Sequence, residues 1–333
     1  PLPAIPAGNI TFGDAASLIQ TKAVMTNANA GTIKMQREAS DLNLNDYMYW
    51  ASPVTGFVIA HIPGASALTY QWDPTAGNTG MPASTGNWVS ASGLMSVGEG
   101  YIKRVPSGAN FTTVFTGIPN NGVIDVDVFK SSVPEPISSA DKHWNLIGNP
   151  YPSAINAETF LLANTNLVGF VNLWTRGDGL FNDGVVTDPF YADFEYNYAD
   201  EYLTHNGTGS SPSGFDGKIA SGQAFFVQVL DASSDTDVRF NNAMRYDGDG
   251  AENAYDNSAF FRSSNPEIIR DTTLEKQLIW LGLVNESNSS SNALLGYVDG
   301  ATDGIDRMYD APRSGEGMSI YSVLEDNKIS IQG

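Results

Sequence analysis

The sequence of 333 residues contains no cysteine. That excludes disulfides, thiol nucleophiles, and zinc or iron–sulfur sites held by thiolates. Basic residues are scarce: 17 Lys and Arg stand against 37 Asp and Glu, for a net charge of −20. So acidic a chain repels nucleic-acid phosphates and anionic lipid head groups, and it favours solubility, with cation binding where carboxylates cluster. Long apolar runs are missing too. The longest, LVGFVNLW at 167–174 and AFFVQVL at 224–230, have the length of buried strands, well short of the ~18 residues of a membrane-crossing helix. Residue 1 is Pro and no signal peptide is present, so the chain reads as a processed product or a piece of something longer.

Catalytic spacings are also lacking. There is no Gly-x-Ser-x-Gly elbow, no His-Glu-x-x-His, no P-loop, and no Gly-x-Gly-x-x-Gly ahead of a helix. The histidines His61, His143 and His205 are isolated from one another. With 37 acidic residues, any two carboxylates could be nominated as a glycosidase pair, so such pairs carry no signal. The expectation is a protein that is not an enzyme.

What the chain has is turn chemistry and aromatic strands. Gly (33) and Pro (17) are plentiful and 41% of residues are apolar, which suits short strands joined by many turns. The expected fold is mostly β, as tandem β-sandwich domains of jelly-roll or Ig-like type with few short helices. One helix is expected over SAINAETFLLAN (153–164), with Asn156 as its N-cap, and a further helical turn over GDAASLIQ (13–20).

The chain repeats itself. YMYWASPVTG (47–56) and KHWNLIGNPYPS (142–153) each run an aromatic-rich strand into a small polar residue, a Pro and a turn. In HWNLIGNPYPSAI, Trp144, Leu146 and Gly148 fall on one face, with Asn145 and Ile147 on the other. Asn149-Pro150 ends the ladder because Pro donates no hydrogen bond and pushes the residue before it out of the α region; Tyr151 plugs the corner. GLMSVGEGYIKRVPSG (93–108) aligns with GKIASGQAFFVQVLDA (217–232), and a tryptophan strand lies between these landmarks in each copy, LTYQWDPTAG (68–77) and FVNLWTRGDG (170–179). A strand pair comes next in each, NFTTVFTGIPNNGVIDVDV (110–128) and TDVRFNNAMR (236–245). The landmarks divide the chain into an N-terminal linker or edge segment (1–32), a first β-sandwich repeat (33–130), a second with a long insertion loop (131–262), and a third β domain (263–333) that need not be complete at its C-terminal end.

WNLIGNPYPSAI, ASGQAFFVQV, FNNAMR and LIWLGLVNES…ALLGYVDGATDGIDRMYDA resemble a stretch of very large secreted proteins of gliding Bacteroidetes, cargo of the type IX secretion system. The resemblance covers about residues 45–333 and identifies the group more than any activity. It implies export across the outer membrane, surface display or release, and a shared, non-catalytic region near the C-terminus of an adhesin or a polysaccharide-degrading enzyme. The implied partners are the type IX translocon and outer-membrane anchoring proteins.

Three kinds of site are expected from the residues. Calcium fits two acidic Gly-rich loops, one with Asp247, Asp249, Glu252 and Asp256, the other with Asp299, Asp303, Asp306 and Asp310, because hard cations take several oxygens on flexible backbone. The first lacks the EF-hand Glu, since residue 258 is Ser. Carbohydrate, such as a surface polysaccharide, fits exposed aromatics near carboxylates or amides, and Trp72, Trp88, Trp174, Tyr196 and Tyr198 are the candidates; alternating aromatics in a β protein also serve as core. The Asp-Thr-Thr at 271–273 resembles an O-glycosylation acceptor of the same phylum, with Thr272 as the acceptor. Arg-Gly-Asp at 176–178 reads as a hairpin turn after Trp174. The function expected is a non-enzymatic stalk that presents an adhesin-like passenger, with a carbohydrate-binding accessory module as the alternative.

Overall fold

A computed structural model describes residues 10–40, 42, 47–76, 86–106, 110–131, 142–174, 202–234, 236–247, 255–257, 276–286, 290–313 and 318–333. The protein is mostly β, as its composition implies. The N-terminal segment holds β1 (Thr11–Phe12), and the first repeat holds β2 (Ile33–Ala39), β3 (Tyr47–Trp50), β4 (Val54–Thr55), β5 (Thr69–Asp73), β6 (Asn87–Ser90), β7 (Tyr101–Arg104), β8 (Phe111–Pro119) and β9 (Ile124–Asp127). The second holds β10 (Trp144–Gly148), β11 (Ile155–Asn156), β12 (Val171–Trp174), β13 (Tyr202–His205), β14 (Ser210–Ser211), β15 (Lys218–Ile219), β16 (Ala224–Gln228) and β17 (Asp237–Phe240). The last segment holds β18 (Gln277–Val284), β19 (Ser290–Tyr297), β20 (Ala311–Pro312), β21 (Ser322–Leu324) and β22 (Asn327–Gln332).

The aligned landmarks occupy matching places in two sheets. One sheet runs β3-β7-β5-β6 and the other β10-β16-β12-β13-β14, and every neighbouring pair in both is antiparallel. These two sheets pack face to face, and each is buried on its other face as well. Outside the first lies the sheet β1-β2-β8-β4, with Met35, Trp50 and Phe115 in the core between them. Outside the second lie the β17-β9 pair and the helix, with Phe160, Phe225 and Phe240 between. A sheet covered on both faces needs apolar side chains at successive positions, which is why YMYW and AFFVQ are buried throughout. Strand β9 belongs to the first repeat by sequence but pairs with β17 of the second.

The helix α1 (Ala157–Ala163) starts where expected: the Asn156 side chain accepts from the Thr159 N–H at 2.8 Å. The second helical expectation fails. Residues 13–20 hold only a turn at Asp14-Ala15. Backbone groups of the segment are taken by distant elements, Leu18 N–H by the Pro152 carbonyl and Ala16 O by the Asn257 amide, in place of i→i−4 helical partners. The segment lies across both repeats as a strap, its Lys22 and Leu18 carbonyls held by Asn242 and Arg245.

The third sheet runs β18-β19-β22-β20, with β21 added on β22 through a turn at Glu325 and Asp326, both at positive φ. Leu294, Ala311 and Ile331 pack there on Phe170 and Trp144 of the second repeat.

Candidate functional site

The WNLIGNPYPS corner is an architectural joint. Its Ile147 bridges to Glu99 of the first repeat, and the matching Trp50 bridges to Gln223 of the second. Gly148 N–H donates to Gly98 O at 2.8 Å, and Ala51 N–H donates to Gly222 O at 2.8 Å. Gly98 and Gly222 are themselves matched, with φ of +84° and +79°, where a β-carbon is disfavoured. The two repeats therefore meet by a pseudo-twofold exchange in which each corner hydrogen-bonds the strand entry of the other copy. Asn120 straddles the joint, donating to Ser52 O at 3.2 Å and to Pro150 O at 2.8 Å. Tyr151 is wholly buried, its hydroxyl on Gly122 O and the Arg245 guanidinium 4.6 Å above its ring. Burial pushes the Tyr151 phenol well up and lowers Arg245 to about 10; Arg245 stays a cation at neutral pH, satisfied by Ser153, Asn242 and Leu18 O.

The candidate carbohydrate tryptophans converge on one place. Trp72, Trp88 and Trp174 are half-buried in the aromatic layer between the two matched sheets. Trp174 stacks on Tyr49 with centroids 5.3 Å apart and planes 5° off parallel, while Trp72 and Trp88 meet edge to face at 5.2 Å. The Tyr49 and Tyr202 hydroxyls are 2.7 Å apart. Tyr196, Tyr198 and the Arg-Gly-Asp turn lie outside the described residues, as does Thr272.

Trp72 also has an open side. It lines a cleft of about 310 Å³ where β5, β9 and β10 meet. Phe129, half-exposed at 50%, lines the same cleft. The polar lining includes Gln71, Asp73, Glu99, Asp127 and Asn145. Among the described residues that line the cleft there is no Lys, Arg or His. The Trp72 ring and the Phe129 backbone are both held. The Trp72 indole N–H donates to Trp144 O at 2.9 Å, and the buried Asn145 amide grips the Phe129 backbone from both sides, at 2.8 Å and 2.9 Å. The family model described as a domain of unknown function (DUF8693) matches residues 4–333. The chain belongs to that family. No curated protein and no solved structure matches it.

In this DUF8693 chain the cleft residues Glu99, Asp127 and Asn145 lie within the repeat landmarks but are not among the expected site residues, and Phe129 lies just past the landmark that ends at residue 128. A signal for Phe129 exists: Ile124, Val126 and Val128 point inward, so Phe129 shares the outward face with Asp125 and Asp127, a lone aromatic among acids. Of the acidic loops, the second is fully described. Asp310 is buried and accepts from Gly333 N–H at 3.0 Å and Asp306 N–H at 2.7 Å, and Asp306 accepts from Thr302 N–H. A calcium ion there would compete with those amides for the same oxygens. In the first loop Asp247 and Asp256 are exposed, and Asp249 and Glu252 lie outside the described residues. Among the described residues no group of three or more metal-binding side chains gathers.

The LGYVDGATDGIDR segment is a fastener as well. Arg307 donates to Leu167 O at 2.8 Å, Leu161 O at 2.6 Å and Asn164 O at 2.9 Å. It thereby caps the C-terminal end of α1 from the third sheet, where a cation meets the negative end of the helix dipole.

Proposed function

We propose that this region is the non-enzymatic stalk of an adhesin-like protein exported by the type IX secretion system to the cell surface or medium. It holds the passenger away from its anchor, and its partners are the secretion translocon and outer-membrane anchoring proteins. One observation carries the reading: the residues on which the resemblance rests act as joints. Gly148 joins the second repeat to Gly98 of the first, and Gly222 and Gln223 meet Ala51 and Trp50 of the first; Arg245 fastens the strap; Arg307 fastens the third sheet. A region selected for joints transmits position and load between a passenger and its anchor. The test is deletion of this region from the full-length protein in its own cells. Antibody labelling of the passenger at the surface should be lost while total passenger persists. Equal surface labelling with and without the region would refute the role.

A further inference from the structure

We infer that the cleft between Trp72 and Phe129 is a binding site for a neutral hexose-containing oligosaccharide, which goes beyond the stalk role. The argument starts from Phe129. Its ring is half in water, the Asn145 amide fixes its backbone through two hydrogen bonds, and β9 is tied to β17 directly before it by Val128 N–H to Thr236 O at 2.8 Å. Trp72 is fixed by its own indole bond. Two aromatic side chains lining one cleft supply apolar surface of the kind on which the C–H face of a sugar packs, and the backbone that carries Phe129 is already ordered.

The polar lining selects the rest. Asp73 uses one oxygen, Oδ1, for Thr75 N–H and Oγ1, at 2.8 Å and 2.7 Å. Glu99 uses Oε2 for the Tyr101 hydroxyl at 3.0 Å. Asp127 makes no hydrogen bond or ion pair among the described residues, and it sits directly opposite Asp237 across the β9–β17 register. Like charges placed opposite one another weaken a sheet pair, so this position works against the fold's own stability. The lining therefore offers the carboxylate oxygens of Asp73, Glu99 and Asp127 as acceptors, with the Gln71 amide as acceptor and donor, and no cationic side chain among the described residues. A ligand rich in hydroxyl donors satisfies it; uronic or sialic acids are repelled by the same carboxylates. The volume lies at the small end of the range of about 300–1,000 Å³ for ligand pockets, which suits a short oligosaccharide.

The test uses the whole 333-residue chain on an array carrying neutral hexose oligosaccharides, acidic glycans and amine-bearing glycans. The wild type should retain neutral glycans and not acidic ones. Phe129→Ala and Asp127→Asn change exposed positions, so both should keep the wild-type melting temperature within a few degrees. Each should weaken binding by about threefold to tenfold, the scale of one lost ring or hydrogen-bond contact. The inference fails if no neutral glycan is retained, if only amine-bearing glycans are, or if both variants bind as the wild type does. Surface display of the passenger in the Phe129→Ala protein should be unchanged, which separates this site from the stalk role.

Discussion

Gly148 and Ala51 touch across the joint between the two repeats: a β-carbon built on Gly148 would stand 2.2 Å from the Ala51 methyl. They are matched residues of the two copies, each coming directly after the bridging residue of its corner. The local twofold therefore passes where only one of them can carry a side chain. Gly148→Ala should destabilise by about 1–3 kcal/mol, the usual cost of overpacking. Ala51→Gly in the same chain should restore most of that loss, because it removes the nearest clashing atom. Urea unfolding of the two single variants and the double variant measures the coupling; additivity would mean that the two residues do not share the contact.

The aromatic layer makes a second claim testable. Tyr49 stacks on Trp174 and its hydroxyl meets that of Tyr202 at 2.7 Å. Tyr49→Phe should cost about 1 kcal/mol, as should Tyr202→Phe, and the double variant should cost little more than either, since both delete one hydrogen bond. Trp174→Ala removes the stacked ring and should cost about 2–4 kcal/mol, somewhat below the range for fully buried tryptophan. Chemical denaturation monitored by far-ultraviolet dichroism reads all four. A Trp174→Ala change of under about 0.5 kcal/mol would show that the ring is not part of the interface.

The corner is legible in the sequence because its signals are local. Asn149-Pro150 stops a strand by itself, and the Asn156 cap needs only the amide three residues on. The matched strand order is legible because the landmarks keep their order. The partner of the aromatic faces is not legible. YMYW alternates Tyr47 and Tyr49 toward one core with Met48 and Trp50 toward another, and nothing in those four letters says that the second repeat covers the tyrosines. The same gap explains the 13–20 segment. Its apolar spacing allows a helix, but Leu18 and Ala16 hydrogen-bond residues 134 and 241 positions away in the chain, and no window of sequence holds that information.

Arg307 tests whether the third sheet depends on the helix end. Arg307→Ala removes all three bonds to Leu167, Leu161 and Asn164 and should cost about 1.5–3 kcal/mol, the range for hydrogen bonds to a charged donor. Arg307→Lys keeps the charge but not the fork, so it should recover less than half. Hydrogen exchange should quicken in α1 and in β18–β22 together. Faster exchange in one of these without the other would show that Arg307 does not join them.

His205 sets the acid side of the stability profile. It is buried at 4% exposure beside the Phe215 ring, 5.0 Å between centroids. Burial, with the nearby charges of Lys218 and Lys276, lowers its pKa to about 3. The Glu158 carboxylate stands 3.8 Å from Nε2, too far for a hydrogen bond, and is 41% exposed, so it does not offset the burial and the ring stays neutral. In the unfolded chain the imidazole takes a proton below about pH 6.5. The folded chain does not take one until about pH 3. The unfolded state therefore binds the extra proton throughout that window, and stability falls as pH drops through it, by up to about 1.4 kcal/mol per pH unit from this group. His205→Gln has no such proton to bind and should flatten the slope between pH 6 and pH 4 by about that amount, whatever it costs at neutral pH. Urea midpoints at half-unit pH steps give the slope, and identical slopes for wild type and variant would mean that His205 titrates equally in both states.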